Sequence, residues 1–408
     1  MRWFSWFMVA AMCSAASLSA SAQTASAGAE QEVSFAQAVD AAWQRSTAGH
    51  SADARRDAQR AQQDAAGSLT PAPPSAALSQ RSDRFNRNLG VRETEAELAV
   101  PLWWPGTRDA ALAVADAEGA ALEAQLRLTR LKLAGEVREA VWALRLAAND
   151  AQASDRRVTE AQLLAADVQR RVQAGDLART DGNQAQGLVQ QAQSGQADAR
   201  ARLLRAQRQY GALTGLMEAP AATEAMPQAA ATDNHPQLVG AEQALVAARA
   251  RLRQASRSTR DAPELTLGIR SERGSFADSN ATSARIGLRV PFGTDARNQP
   301  RIRAASAELL EAEAAARLER DRVQAEVDAA SSEQMQAQRI VQLADERARL
   351  AADTQQLLAK AFRLGEIDLP TRLRAENDRF DAELALGRAR LEAARAVSRL
   401  QQAYGLPP

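Results

Sequence analysis

Val290-Pro291-Phe292 heads a long helical pattern that ends in Gly365-Glu366-Ile367, and the two phrases repeat Val100-Pro101-Leu102 and Gly175-Asp176-Leu177. Both pairs lie 190 residues apart, 101 against 291 and 175 against 365. A third phrase, Tyr404-Gly405-Leu406, repeats Tyr210-Gly211-Ala212-Leu213 at an offset of 194, so the register drifts by about one helical turn. A period this long is no solenoid unit. It marks a duplicated half-protein whose halves carry the same order of elements.

Each half reads helix, two strands, very long helix, break, helix. The first helix spans about Phe35 to Ala66 and stops at Gly67 and the Pro71/Pro73/Pro74 cluster. Its counterpart starts at Asp233-Asn234, an N-cap pair with Pro236 close behind, and fades near Ser256-Arg257-Ser258. Strand patterns of period two follow, Glu264–Glu272 and Ser283–Phe292 in the second half, with weaker versions at Ser75–Arg81 and Thr94–Leu102. Leu265, Leu267 and Ile269 face one way, as do Ile286, Leu288 and Val290. Nine to eleven residues is the span of a tilted transmembrane strand, and apolar-out, polar-in alternation is what a water-filled barrel needs. Two soluble hairpins capping a helical bundle would give the same pattern. Four strands cannot close a pore alone, and an open sheet cannot span lipid, so strands that span must be shared among several chains. The long helices run from about Arg108 to Ala174 and Arg301 to Leu364, the first reaching ~100 Å at 1.5 Å per residue. Their seven-residue spacings (Leu126/Leu133, Val137/Leu144, Leu357/Leu364) are loose and filled with alanine. Helices of this length need partners. Thr180–Ala212 and Asp368–Tyr404, each just past a glycine break, return antiparallel to supply them, and each opening helix can stack end to end on one of these. The expected fold class is mainly α with a small β part: long antiparallel coiled-coil helices with four strands per chain, internally duplicated.

Composition agrees. Aromatic residues make up 4 % of the chain, as in long helices and coiled coils. With a formal charge of +1, close to neutral, nothing suggests a nucleic-acid partner. Residues 1–22 read as a signal peptide, with Arg2, an apolar run from Trp3 and the cleavage pattern Ala20-Ser21-Ala22. An uncleaved anchor is the other reading, against which the Ser/Ala dilution after Cys13 speaks. The mature chain would begin near Gln23 and lose Cys13, the one cysteine, so disulfides, thiolate metal sites and cysteine nucleophiles are not expected. His50 and His235 lie in opposite halves. No nucleophile–base pair, phosphate loop or Cys/His spacing is found, and no catalytic, cofactor or metal residue is assigned.

With these phrases in order, the chain resembles the TolC-like outer-membrane efflux family across nearly all its mature length. Asn234-His235-Pro236 is close to that family's helix start. Val-Pro-Leu/Phe runs in both halves into a glycine and a basic residue, Gly106/Arg108 and Gly293/Arg297. Arg171 precedes Gly175 by four, where the second half has Ala361 flanked by Lys360 and Arg363. The resemblance implies a homotrimer whose strands close one twelve-stranded transmembrane β-barrel in the outer membrane of a Gram-negative bacterium, with a periplasmic tunnel of paired helices. It also implies a periplasmic adaptor (membrane fusion) protein and an inner-membrane RND pump as partners, with outer-membrane lipid around the barrel and no cofactor. Ala361-Phe362-Arg363-Leu364-Gly365-Glu366-Ile367-Asp368-Leu369 looks most like the heavy-metal, cobalt-zinc-cadmium, subgroup.

The domain expectation is a first efflux repeat over 23–219, a linker over 220–232 and a second repeat over 233–408. By resemblance the glycine turns are periplasmic tips where the adaptor docks, with Arg171, Gly175, Asp176, Leu177, Asp181, Arg363, Gly365, Glu366, Ile367 and Asp368 as candidates. Drug-exporting relatives narrow the tip with aspartates six and nine residues after the second glycine. Here those positions hold Thr371 and Arg374. A ring of Arg374 would repel cations, or Arg374 would pair with Asp378 or Asp181 to lock a closed state; acidic rings could instead come from Glu366 or Asp368. Trp103 and Trp104 are either an interfacial aromatic belt or junction packing. The expected function is passive conduction in a tripartite pump. A non-conducting periplasmic coiled-coil scaffold is the main rival. A pump adaptor would need more strand, and an enzyme a catalytic constellation.

Overall fold

A computed structural model describes residues 33–228, 234–293 and 295–408. The signal segment, the cleavage site and Asp233 lie outside the described residues. Seven helices and four strands are found among those described. Helix α1, Phe35–Arg45, starts with a reciprocal cap in which Ser34 Oγ accepts from the Gln37 N–H and Gln37 Oε1 accepts from the Ser34 N–H. The single opening helix expected over Phe35–Ala66 is broken at Ser46. That residue is extended, and its hydroxyl accepts from the Gly49 N–H at 2.9 Å to cap α2, Thr47–Ala66. A serine that can cap competes with helix continuation, which the apolar period does not register.

Strands β1 (Ser75–Ser82), β2 (Arg92–Pro101), β3 (Glu264–Arg273) and β4 (Ala281–Arg289) form one antiparallel sheet in that order. The central pair joins the two repeats, running from Arg92↔Arg273 to Pro101↔Glu264. Leu102 N–H adds a further bond to Pro263 O. Leu78 is paired with Ala96, Leu98 with Leu267, and Leu267 with Ile286, so the apolar residues share one face. β4 stops at Arg289, before the expected end at Phe292, because Pro291 has no N–H to donate and Gly293 turns the chain at φ 74°. The outer edges of β1 and β4 have no partner strand within the chain.

Helices α3 (Thr107–Ala174) and α4 (Arg179–Thr214) form one long hairpin, and α6 (Asp295–Leu364) and α7 (Leu369–Ala403) the other. α6 begins six residues before Arg301 and contains Pro300. So near the helix start this proline removes a single bond. α5 (Pro236–Arg257) packs against both long helices. Its cap is His235, whose Nδ1 accepts from the Gln237 N–H at 3.1 Å, and not the expected Asn234.

The seam of each hairpin is alanine at seven-residue steps. Buried Ala185, Ala192, Ala199 and Ala206 line α4, and Ala375, Ala382, Ala389 and Ala396 line α7. Each α7 alanine lies 190 residues after its α4 counterpart. The same offset relates the left-handed glycines Gly215 (φ 76°) and Gly405 (φ 70°). The register therefore does not drift. Gly405 matches Gly215, and the tyrosine phrases sit one turn apart on the same scaffold. Gly215 abuts Arg45, and Gly405 abuts His235 and Pro236, where an added Cβ would meet His235 Cδ2 at 2.6 Å. α4 thus ends against the last residue of α1, and α7 against the start of α5.

At this level Trp142 is fully buried and donates its indole N–H to Ser398 Oγ at 2.9 Å. Tyr210 donates its hydroxyl to Glu218 O. The connection between the repeats is held by two arginines of α3. Arg145 lies over Trp142 and donates to the carbonyls of Pro220 and Ala222. Arg138 forms a buried pair with Glu224 at 2.7 Å and also donates to Gln402 and Leu406 O. Removing one member leaves an uncompensated buried charge. Glu224→Ala is expected to lower unfolding free energy by about 3–5 kcal/mol, with the double variant Arg138→Met/Glu224→Leu losing less, as read by denaturant titration.

His235 is almost fully buried, and desolvation holds its pKa below the ordinary imidazole value against the Ala403 carbonyl and Glu319, which favour the proton. Lys132, Glu326, Glu333 and Arg399 line the same pocket. A depressed histidine pKa means that the unfolded chain binds the proton the folded one refuses, so stability falls as pH drops below about 6.5. Thermal melts from pH 7.5 to 5 should show this loss, and His235→Gln should flatten it.

Candidate functional site

Both hairpin tips end by the same backbone device. Gly175 (φ 87°) and Gly365 (φ 78°) are left-handed, and the next N–H in each case bonds back across the last turn, Asp176 to Arg171 O at 2.9 Å and Glu366 to Ala361 O at 3.0 Å. Nothing lies within 4 Å of where a Cβ would be on either residue, so φ and not crowding requires glycine. The returning helices are capped differently. Asp368 caps α7, its carboxylate accepting from the Thr371 N–H, which holds its pKa below the ordinary range. Repeat one has Ala178 there, and Asp181 instead accepts from the Ala178 N–H at 3.1 Å. Asp181 and Asp368 thus fix the tip turns.

The other tip candidates divide by burial. Leu177 and Ile367 pack against a core of Leu164, Val168, Ala185, Phe362 and Leu369, which binds the two tips together. Arg171 pairs with Asp167 at 3.4 Å and lies 5.1 Å from the Phe362 ring, over which Arg372 also lies at 4.9 Å. Asp176, Arg363 and Glu366 are exposed. Thr371, Arg374 and Asp378 share one groove with Leu350, Thr354 and Leu358 of α6. Arg374 donates only to Pro370 O at 3.4 Å, and the pairing with Asp378 or Asp181 is not formed. At three and four residues along a helix, the two α7 side chains are neighbours, but both point into solvent here.

The opposite face of α7 carries residues that the sequence reading passed over. Arg388 holds Asp150 of α3 with two bonds, at 2.8 and 2.6 Å. Arg379 bonds to Glu160, and Arg395 and Arg399 both reach Glu139, at 3.1 and 3.0 Å. Burial would raise the Glu139 pKa, but these two arginines overcome it and hold the carboxyl below its ordinary value. The rungs form an antiparallel ladder along the narrow seam between the two hairpins. The sign of it in the sequence is acids on α3 spaced ten and eleven residues apart, which keep one face of a straight helix.

The sheet has a second site. Its apolar face leaves Leu78, Leu98, Leu267, Ile269, Ile286 and Leu288 between 40 and 79 % exposed. Its other face carries ion pairs across the strands, Arg270 with Glu93 at 2.9 Å and Arg285 with Glu95 at 3.4 Å. Arg285 reaches past β3 at Gly268, which has no side chain in the way. Trp103 and Trp104 lie below the sheet, where their indole N–H groups donate to Ser68 O at 3.0 Å and Asp261 O at 2.8 Å. Both bonds tie chain crossings at the junction of sheet and helices. Among the described residues no group of three His, Cys, Asp or Glu is arranged for a metal ion, and no helix is long and apolar enough to cross a membrane.

No family model matches the sequence, and no curated protein matches it. Solved structures do match. CusC, described in terms of its folding and transmembrane channel formation, is 18 % identical, with 92 % of this chain and 93 % of that chain covered and a TM-score of 0.77. The outer membrane protein VceC of Vibrio cholerae is 16 % identical over 92 % of this chain and 97 % of its own, with a TM-score of 0.74. The open state of the Neisseria gonorrhoeae outer membrane channel MtrE is 17 % identical over 91 % and 89 %, with a TM-score of 0.71. The fold of this chain is the fold of those channels.

The ladder predicts a salt-dependent coupling of the hairpins. The triple variant Glu139→Gln/Asp150→Asn/Glu160→Gln should lose roughly 1–3 kcal/mol at low salt, at 0.2–1 kcal/mol per exposed pair. The deficit should shrink in 1 M salt, where the screening length is about 3 Å. Denaturant titration at the two salt concentrations measures both.

Proposed function

We propose that this chain is one protomer of a trimeric outer-membrane efflux channel of the TolC-like family, the outer component of a tripartite pump. The observation that carries this reading is the open four-stranded sheet, with one face of exposed leucine and isoleucine and the other of arginine and glutamate. Such a sheet is unfavourable in water and cannot span lipid alone. Three copies joined β4 to β1 remove every edge, turn the apolar face to lipid and line the lumen with the ion pairs.

A second uncovered surface supports several copies. Leu343, Leu350, Leu357 and Leu364 of α6 are seven residues apart and all more than half exposed. That is a coiled-coil stripe without its partner helix. In the assembly it would pack against a neighbouring protomer, and the hairpins would form a periplasmic tunnel.

Function follows from the two ends. Substrate handed over by an inner-membrane RND pump and a periplasmic adaptor would pass passively through tunnel and barrel. The adaptor would dock on the exposed tip residues Asp176, Arg363 and Glu366, with Asp181 and Asp368 holding the turns. Three copies of the groove with Thr371, Arg374 and Asp378 would form the constriction, and its basic residue would disfavour cations. The stretch Ala361–Leu369 favours a heavy-metal pump as the partner, whereas Arg374 opposes free metal cations as the cargo; substrate choice would be made by the pump. No enzymatic step is assigned.

Detergent-purified protein reconstituted in a planar bilayer should give small, stable channels associated with a trimer. Arg374→Ala should shift ion selectivity toward cations without changing expression. A detergent-independent, non-conducting protein would reject the channel and leave the periplasmic scaffold. Unchanged selectivity in Arg374→Ala would remove the arginine ring alone.

A further inference from the structure

Six arginines stand at the sheet end of the second repeat with no carboxylate partner among the described residues. Arg253 and Arg257 lie on the last turns of α5, Arg260 on the connection to β3, and Arg297, Arg301 and Arg303 on the first turns of α6; all are exposed. The contrast with their neighbours is sharp. One turn deeper, Arg249 and Arg251 pair with Glu313, Glu118 and Glu308. In the first repeat, Arg56 and Arg60 of α2 are paired with Asp53, Glu123 and Asp57. Among the described side chains neither Asp109 nor Asp261 forms an ion pair with them.

The cluster is also positioned. Trp104 donates its indole N–H to Asp261 O, and the Arg260 guanidinium lies 5.7 Å from its ring. Arg257 reaches Gly106 O at 3.4 Å, and Asn298, buried, donates to Thr259 O. These bonds tie the end of α5, the start of α3 and the start of α6 at one level. That level is the end of the apolar sheet face, since β3 begins at Glu264 and β4 ends at Arg289. Four residues of helix rise about 6 Å, so Arg257, Arg260, Arg297 and Arg301 fall within the roughly 5–8 Å depth of a headgroup layer.

We infer that this cluster is a phospholipid-phosphate site, one per protomer, that holds the anionic headgroups of the leaflet at the helix side of the barrel. The inference rests on the reading of the sheet as a membrane-spanning wall. Guanidinium groups are suited to it, because each offers several donors in a planar fork that matches phosphate oxygens. Among the described side chains of the chain no carboxylate pairs with these arginines, and a phosphate layer would supply the charge. Each basic residue near an anionic surface strengthens its attraction about fivefold. The indole of Trp104, apolar on its ring and hydrogen-bonded at its nitrogen, suits the same boundary.

The test uses the full-length channel in detergent. Phosphatidylglycerol or phosphatidylcholine is added in mixed micelles, and bound lipid per trimer is counted by native mass spectrometry. The site predicts that phosphatidylglycerol is retained in preference, and that Arg257→Gln/Arg260→Gln/Arg301→Gln weakens its binding at least about tenfold. A variant with the same charge loss further along α6, Arg317→Gln/Arg320→Gln/Arg339→Gln, should bind as the parent does. Equal retention by all three proteins would overturn the site. Displacement of the lipid by millimolar inorganic phosphate would also overturn it, because the cluster would then be a small-anion site. Conductance in planar bilayers is read in parallel. Channels from the Arg257/Arg260/Arg301 variant leave the barrel reading intact whichever way the lipid count falls. Absence of channels from the parent rejects the barrel itself.

Discussion

Everything long in this protein depends on alanine at every seventh position of the returning helices. Ala185, Ala192, Ala199 and Ala206 of α4 and their α7 equivalents put no bulk between the helices of a hairpin, so the axes approach closely over five to six turns. A strict step of seven against a helical repeat of 3.6 turns the pair into a left-handed supercoil. The small side chain sets a limit as well, since each alanine buries little area, and stability per residue is low. Larger apolar residues are then free to serve elsewhere. Phe362 and Leu369 close the tips, Trp142 and Tyr210 fill the middle, and the leucines of α6 point outward along a stripe that the chain does not cover. One choice at the seam thus produces both a slender hairpin and its need for neighbours.

The second constraint is backbone satisfaction in the sheet. Joining β2 to β3 lets each repeat contribute one hairpin to a continuous four-stranded unit, and the ladder of paired N–H and C=O groups runs without interruption from Arg92 to Pro101. What remains is one open edge at each side, β1 and β4. β1 is mostly small and polar apart from Leu78, and the last five residues of β4 are Arg285, Ile286, Gly287, Leu288 and Arg289. Because both repeats descend to helices directly below, Trp103 and Trp104 must turn the chain in three or four residues. Their indoles do this by bonding to carbonyls of the crossing segments.

Much of this was legible from the residues. The glycine breaks, the strand period and the returning helices follow from spacing and chain-breaking chemistry that act locally. The failures share a different cause. Ser46 breaks the first helix with a side-chain bond to Gly49, and His235 replaces Asn234 as a cap through a ring nitrogen; both are choices between nearly equal local bonds. The apparent drift to 194 came from aligning two tyrosines, whereas the structure aligns glycines in the left-handed region, which sequence does not reveal until φ is known. Of the ladder between α3 and α7 only the spacing of the α3 acids shows in the sequence; their partners do not, because each rung joins residues more than two hundred positions apart, from Glu160 and Arg379 to Glu139 and Arg399. Arg374 shows the converse. It had two carboxylates within plausible reach by sequence and bonds to neither.

The same division between apolar and ionic contact decides what can move. Within each hairpin the alanine seam and its flanking valines are dry, and separating them exposes apolar surface over the whole length. Between hairpins the seam is narrower, and much of it consists of arginine–carboxylate pairs reached by water, each worth no more than about 1 kcal/mol. A force applied at the tips would therefore shift one stiff hairpin against the other before it bent either. The resistance is concentrated at two places, the Phe362 cluster at the tips and the buried Arg138–Glu224 pair at the repeat connection. Phe362 is shared, lying on α6 and covered by Arg171 of α3 and Arg372 of α7, so release at the tip requires those two cations to leave one ring. The Arg138–Glu224 pair has no such exposed route, and Arg138 ties α3 to the repeat connection and to the end of α7.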